Sequence, residues 1–367
     1  MRGVIFEVDS NDPIGAIGWR PETPLPADAH ADWRLARVVA QHRNGYELSD
    51  GSASGDFIAQ PAPRFLKRQA DPSLRPAVGD FVLVETGNPR IIQAVLPRRT
   101  MLSRAAAGER YQRQIIATNI DTVFIVMGLD GDFNPRRIER YLALVQGSGA
   151  TPVVVLTKAD KIEPAAVRMM LDELKTQLPA ELDVRAINAK NVDDVESLRA
   201  YVQRGDTAVL VGSSGAGKST LTNTLLGRER QSTAEVREHD SRGRHTTTHR
   251  SLLKLPGGGC LIDTPGMREL KLTGDEDIAA ASFADIEALA QDCRFADCRH
   301  GNEPGCAVRA ALAAGTLDAA RWENFCKLRD ELAAANDTLA AQLERKANAR
   351  VMNKALGKRL VDKYGRR

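Results

Sequence analysis

From Trp33 onward, short runs of apolar and polar residues are broken by turn signals, and the first of them predict strands at Leu35 to Val39, Tyr46 to Leu48, Asp56 to Ala59, Asp80 to Glu85 and Arg90 to Val95. Asn44-Gly45 and Asp50-Gly51 supply turns, because such dipeptides accept the positive φ of tight hairpins. Several short strands at this spacing predict a small β-barrel over residues 31–106. An OB-like barrel fits its size, and an SH3-like barrel would give similar patterning. The preceding residues 1–30 are rich in Pro, Ala, Gly and Asp, lack apolar periodicity, and are expected to form a flexible arm.

The pattern changes at Ile120 to strands alternating with helices. Asp121 to Met127 is a continuous apolar run of the kind buried in a parallel sheet, and Pro135 to Val145 has helical spacing, with Asn134 as its N-cap. Further strands are expected at Pro152 to Leu156, Asp183 to Ile187 and Thr207 to Val211, with a helix over Val192 to Val202. This alternation predicts a doubly wound α/β domain over residues 107–275, with its ligand loops at the carboxyl ends of the strands. Strand patterning ends after about Gly274. Residues 276–367 read as helices around a Cys/His cluster, with Leu328, Leu332, Leu339 and Leu343 at helical spacing. The fold class is therefore multidomain α+β.

Length and charge refine this picture only locally. A chain of 367 residues suits two or three domains, and 51 Lys and Arg against 48 Asp and Glu leave a formal charge of only +3. Any nucleic-acid surface must come from clusters such as Arg64, Lys67, Arg68, Arg98, Arg99 and Arg104, or Arg345, Lys346, Arg350, Lys354, Lys358, Arg359, Lys363, Arg366 and Arg367. A solvated helix face is the other reading of either run. No apolar run approaches the roughly 20 residues needed to cross a bilayer, and no signal-peptide pattern opens the chain, so a cytoplasmic protein without membrane attachment is expected.

Chemistry enters with the order of three motifs. Gly212-Ser213-Ser214-Gly215-Ala216-Gly217-Lys218-Ser219-Thr220 follows the apolar run Ala208 to Val211 and opens a helix. In that setting backbone amides and Lys218 meet phosphate oxygens, Ser219 ligates Mg²⁺, and the glycines let the backbone curl around the anion. Thr157-Lys158-Ala159-Asp160 comes earlier in the chain. The Asp160 carboxylate accepts from the guanine N–H groups, so it would select guanine over adenine. Thr157 stands where Asn is commoner, a change expected to weaken an adjacent contact, and Asn188-Ala189-Lys190, no signal by itself, resembles by its position after the Thr157 motif a Ser-Ala-Lys loop whose amide meets the guanine carbonyl oxygen. Asp263-Thr264-Pro265-Gly266 comes last. Asp263 would hold Mg²⁺ through water, and the Gly266 amide would sense a γ-phosphate. Base reader before phosphate loop reverses the ordinary order, so the domain is expected to be a circularly permuted P-loop GTPase.

Met267 follows Gly266 where many GTPases carry Gln, which predicts slow unaided hydrolysis. His245, beside Thr246, Thr247 and Thr248, is the best candidate to position water in its place, the other reading being a loop histidine without a catalytic role. One of the three threonines, assigned as Thr247, would ligate Mg²⁺. The expected catalytic set is thus His245, Lys218 and Gly266.

Five cysteines are present, and Cys293, Cys298, His300 and Cys306 crowd into one short stretch rich in Gly and Pro. Three thiolates and one imidazole fill a tetrahedral Zn²⁺ site with no open position, so one structural zinc is expected. Cys260 and Cys326 fall in apolar patterns and read as core residues.

Taken with the RHTTT and DTPG segments, the stretch CRFADCRHGNEPGCAV and the front barrel, the permuted order resembles the RsgA (YjeQ) family of bacterial ribosome small-subunit-dependent GTPases over nearly the whole chain. The resemblance implies an OB-fold domain, a permuted GTPase domain and a C-terminal zinc domain. It further implies binding of GTP and GDP, contact with the small ribosomal subunit and its rRNA by a monomer, and subunit-stimulated hydrolysis late in subunit maturation. An RNA-binding assembly protein in which GTP mainly sets affinity is the alternative. Thr157, Asn188 and the long Pro-rich arm depart from the family pattern.

Overall fold

The computed structural model describes residues 12–42, 44–52, 55–66, 74–105, 113–227, 250–264 and 282–337. His245, Thr246 to Thr248, Gly266, Met267, Lys67, Arg68 and the basic segment beyond 337 lie outside the described residues.

Residues 12–20 are not the loose arm their composition suggested. Asp12 caps a short helix, α1 (Pro13–Ala16), accepting from the Ile14 amide at 3.1 Å, and Ile14, Ile17 and Trp19 are buried. Trp19 stands edge-on to Phe81 of the barrel at 5.2 Å between ring centroids. Three large apolar side chains removed from water offset the ordering cost of this Pro- and Gly-rich stretch.

The barrel consists of β1 (Trp33–His42), β2 (Gly45–Ser49), β3 (Phe57–Pro61), β4 (Phe81–Glu85) and β5 (Ile91–Val95), with a one-turn helix α2 (Pro63–Leu66) between β3 and β4. Its strands pair in the order β1-β2-β3-β5-β4, and β1 also pairs with β4, so the ring closes. The β3–β5 pairing is parallel. A closed five-stranded ring of this order is OB topology, which decides between the two barrels that the patterning allowed. The front basic cluster is partly structural: Arg98 makes two 2.7 Å bonds to the buried Asp80 carboxylate, and Arg99 pairs with Asp121 at 3.2 Å.

A hairpin of β6 (Met101–Ala105) and β7 (Arg113–Thr118) forms its own two-stranded sheet across the expected domain boundary near residue 106. The α/β layer follows, with β8 (Thr122–Gly128), α3 (Pro135–Gln146), β9 (Thr151–Thr157), α4 (Pro164–Gln177), β10 (Asp183–Ala186), α5 (Val192–Glu196), β11 (Thr207–Val211), α6 (Lys218–Leu226), β12 (Ser251–Lys254) and β13 (Cys260–Asp263). The helix expected over Val192 to Val202 is broken into α5 and a 3₁₀ turn at Arg199–Tyr201. Strands β10, β9, β8, β11 and β13 are parallel neighbours in that order, while β12 is antiparallel to β13 and touches β1 at Ala40 and Ser251. Every residue of β8 and β11 is buried, as expected for parallel strands covered on both faces.

Arg37 joins barrel to α/β layer. It is fully buried on β1, and its guanidinium donates to Gly79 O at 3.1 Å, Asn119 O at 2.9 Å, Thr207 Oγ1 at 2.8 Å and the Ile17 carbonyl. One cation thus ties the N-terminal segment and the barrel to the base of the strand that carries the phosphate loop.

The remainder is helical, with α7 (Ala284–Gln291), α8 (Ala307–Ala314) and α9 (319–337). Phe283, Phe325 and Leu328 are buried in the same apolar cluster as Tyr141 and Leu142 of α3, so this part packs on the α/β layer. Leu332 joins that cluster half-buried, and Leu339 and Leu343 lie outside the described residues.

Candidate functional site

Four of the expected motifs leave the carboxyl ends of neighbouring strands: Thr157 at β9, Asn188 just past β10, Gly212 just past β11, and Asp263 at β13. That edge is where open α/β sheets bind ligands. Sequence reasoning therefore placed these groups correctly relative to the strands, and the sheet order brings them together.

The phosphate loop has no room for side chains where its glycines stand. A Cβ on Gly212 would lie 2.1 Å from Val126 O, and one on Gly217 would lie 3.0 Å from Thr157 Oγ1; both residues have positive φ. Lys218 opens α6 and turns back over the loop, its Nζ donating to Gly212 O at 2.8 Å and to the Ser213 carbonyl. Burial pushes its pKa down to about 8, while Asp263 and Asp132 act in the opposite sense. A desolvated ammonium resting on two backbone carbonyls is poised for an anion that would exchange those weak partners for phosphate oxygens. Ser219 and Thr220 are half-buried in the first turn of α6, and Ser214 and Gly215 form the exposed loop tip.

Thr157 does something that sequence reasoning missed. Its buried hydroxyl donates to Ala216 O at 2.6 Å, so the expected base-reading segment holds the phosphate loop directly. Lys158 adopts a left-handed conformation, φ 63°, and pairs through Nζ with Asp130. The Ala159 amide donates to Ile187 O at 3.2 Å, drawing the 188–190 loop beside it, and the Asp160 side chain is exposed. Within that loop Asn188 Oδ1 accepts from the Lys190 amide at 3.0 Å, and Thr224 of α6 donates to Ala189 O at 2.7 Å. Thus the two expected base-contacting segments and the phosphate loop form one bonded unit.

Two carboxylates were not foreseen. Asp130 and Asp132 lie in the turn after β8, Asp130 against Lys158 and Asp132 against Ser213 Oγ and Arg137 Nη1, the last at 2.7 Å. Their only sequence signal is an Asp-Gly-Asp turn immediately before a capped helix.

The Cys/His cluster converges as its spacing predicted. Ligand atoms of Cys293, Cys298, His300 and Cys306 all lie within 4.8 Å of one another. His300 Nδ1 is 3.6 Å from Cys293 Sγ and 3.5 Å from Cys306 Sγ, and those two sulfurs are 3.9 Å apart. A tetrahedral ion with bonds of about 2.3 Å to sulfur and about 2.0 Å to nitrogen separates its ligands by roughly 3.5–3.8 Å, so the donors fit a closed site. His300 has a positive φ of 60°, and its imidazole stands edge-on to Trp322 at 5.6 Å. Among the described residues, no helix is long and apolar enough to cross a membrane.

A phosphate loop and a guanine-type reading segment on one parallel sheet, in reversed chain order, behind a closed OB ring define a circularly permuted P-loop GTPase. Comparisons agree on which one. The RsgA GTPase family model matches residues 95–273. A "Small ribosomal subunit biogenesis GTPase RsgA" from Xanthomonas euvesicatoria pv. vesicatoria (strain 85-10) is 56% identical over 364 residues, covering 96% of this chain and 97% of the relative. Its namesake from Xanthomonas campestris pv. campestris (strain B100) is 54% identical with the same coverage. The crystal structure of YjeQ from Thermotoga maritima superposes with a TM-score of 0.58 at 25% identity, covering 82% of this chain and 98% of that one. YloQ, described as a circularly permuted GTPase, shares the fold with a TM-score of 0.56. The chain belongs to the RsgA GTPase family.

Proposed function

We propose that this GTPase acts in biogenesis of the small ribosomal subunit, as the names of its relatives state for them, and that contact with the subunit stimulates its GTP hydrolysis late in maturation. The observation that carries the reading is the pair of bonds from Thr157 to Ala216 O and from Thr224 of α6 to Ala189 O, which ties the two expected base-contacting segments to the phosphate loop and the helix it opens. In this reading Thr157, Lys158, Ala159, Asp160, Asn188, Ala189 and Lys190 surround guanine, and residues 212–220 cradle the phosphates. Lys218 meets the β- and γ-phosphates, Ser219, Asp263 and Thr247 hold Mg²⁺, the Gly266 amide senses the γ-phosphate and His245 orients water.

The Cys₃His set holds one structural Zn²⁺, a soft donor set with no vacant position. Residues 31–106 and 276–367 contact rRNA on either side of a GTPase domain at 107–275, and the protein works as a cytoplasmic monomer. Phosphate release from GTP, measured with and without purified small subunits, tests the proposal. A rise of roughly tenfold or more on adding subunits is expected; an unchanged rate with subunits in excess would remove the ribosomal part of the reading.

A further inference from the structure

Helix α3 has one end at the phosphate loop and one face against the C-terminal helices. Before its first turn, Asp132 accepts from Ser213 Oγ and from Arg137 Nη1, and the Ser213 carbonyl in turn accepts from Lys218. In its second turn Glu139 is a fully buried carboxylate, on a helix whose inner residues from Ile138 to Val145 are largely buried as well. It is held by Arg136 at 2.9 Å, by Asn324 of α9 at 2.6 Å and by Arg321 of α9. Arg321 is itself buried, lies 4.9 Å over the Phe283 ring, and also donates to Asp285 at 2.8 Å and to Ser282 O at 2.6 Å. Ser282 is the first described residue after the Asp263-Thr264 strand end. Arg140 Nη2 adds contacts to both carboxylate oxygens of Glu331, at 2.6 and 2.7 Å.

A helix is stiff over two turns, and a buried ion pair fixes geometry because either partner left alone would be an uncompensated charge. Such a pair costs desolvation that an apolar contact would not, so packing alone does not account for it. We propose that Arg321 is a positioning residue for GTP hydrolysis: through Glu139 and α3 it sets the Asp132–Ser213 contact, so the seating of the C-terminal helices governs where Lys218 is held. The proposal rests on the reading of this pocket as a GTP-hydrolysing centre. It assigns to the C-terminal part a route to the phosphates that does not pass through the loop after Asp263.

The test uses the full chain and compares Arg321→Gln, Asp132→Asn and the double variant for kcat, KM and the Kd of GDP, with metal content and urea unfolding measured alongside. Arg321→Gln is expected to lower kcat about tenfold while KM and the GDP Kd stay within about twofold. The double variant should fall no further than the worse single, because both changes break one chain of contacts. Arg321→Lys, which keeps the charge, should recover part of the loss, and it stands in for Arg321→Gln if that variant does not fold. An unchanged kcat in the folded Arg321 variants, or losses in Asp132→Asn and Arg321→Gln that multiply in the double, would overturn the proposal. Absence of GTP turnover by the unaltered chain would instead overturn the reading of the pocket.

Discussion

The phosphate loop hangs from strands whose residues are all buried, whereas three of the four Cys/His ligands sit half-buried on irregular backbone, with Cys306 alone buried. Steric limits and hydrogen bonds shape the first: Gly212 against Val126, Gly217 against Thr157, Thr157 on Ala216. The second has sulfur and nitrogen approaches of 3.5 to 3.9 Å that fit a tetrahedral cation, while three thiols and an imidazole gain little from one another. A site built by a sheet core is ready before its ligand arrives; a site built by its own donors takes its shape from the ion.

The largest expected effect separates the two. Chelating the metal, or replacing Cys298 with Ser, should unfold the stretch from about Cys293 to Cys306, because structural zinc supplies on the order of 10 kcal/mol to such segments. Limited proteolysis and metal analysis would read this, and titration with GDP should still give a Kd within about threefold of the intact protein. Loss of GDP binding on chelation would break the comparison. Next in size, Lys218→Ala should cut GTP turnover about a hundredfold or more. It should not lower the melting temperature, since it removes a desolvated cation that rests only on backbone carbonyls. A clear loss of stability would place Lys218 in the core rather than at the ligand.

Much of the nucleotide site was legible because its chemistry is local: each motif is a contiguous run at a strand end, and apolar runs mark the strands. The barrel was legible as strands but not as a topology, because alternation sets which face is buried and not which strand pairs with which. Only the parallel β3–β5 pairing decided for OB. The N-terminal segment misled for a physical reason. Ile14, Ile17 and Trp19 follow no strand or helix period, yet they fill the seam beneath Phe81, and composition weighed the prolines around them more heavily. Nothing in the sequence singles out Arg37 or Glu139, and their burial is visible only once partners from distant segments are present.

Smaller effects sharpen how the pocket is held. Thr157→Val keeps shape but removes the bond to Ala216 O, and should weaken GDP binding by about 1–2 kcal/mol while leaving barrel and C-terminal stability unchanged. An unaltered Kd would mean that the bond does not set the loop. Comparable in size per pH unit is the pH response. Without ligand the Lys218 pKa is lowered to about 8, and phosphate would raise it again, so nucleotide binding takes up a proton above pH 8. Affinity should therefore be flat below that pH and fall by up to about tenfold per unit above it. The same depressed value makes the lysine's contribution to folding less unfavourable as pH rises from about 8 toward 10.5. A calorimetric titration in buffers of different ionisation heat would detect the proton.

Asp160 is expected to read guanine beside a phosphate loop that comes later in the chain. A carboxylate accepts from both the ring and the exocyclic N–H of guanine, whereas xanthine carries an oxygen at the exocyclic position and needs a donor there. We therefore expect Asp160→Asn to lose on the order of a hundredfold or more in kcat/KM for GTP and to gain activity with XTP, with the fold unchanged because the side chain is exposed. An Asp160→Asn protein that still prefers GTP over XTP as the unaltered chain does would contradict the assignment of the base-reading segment and, with it, the permuted GTPase site.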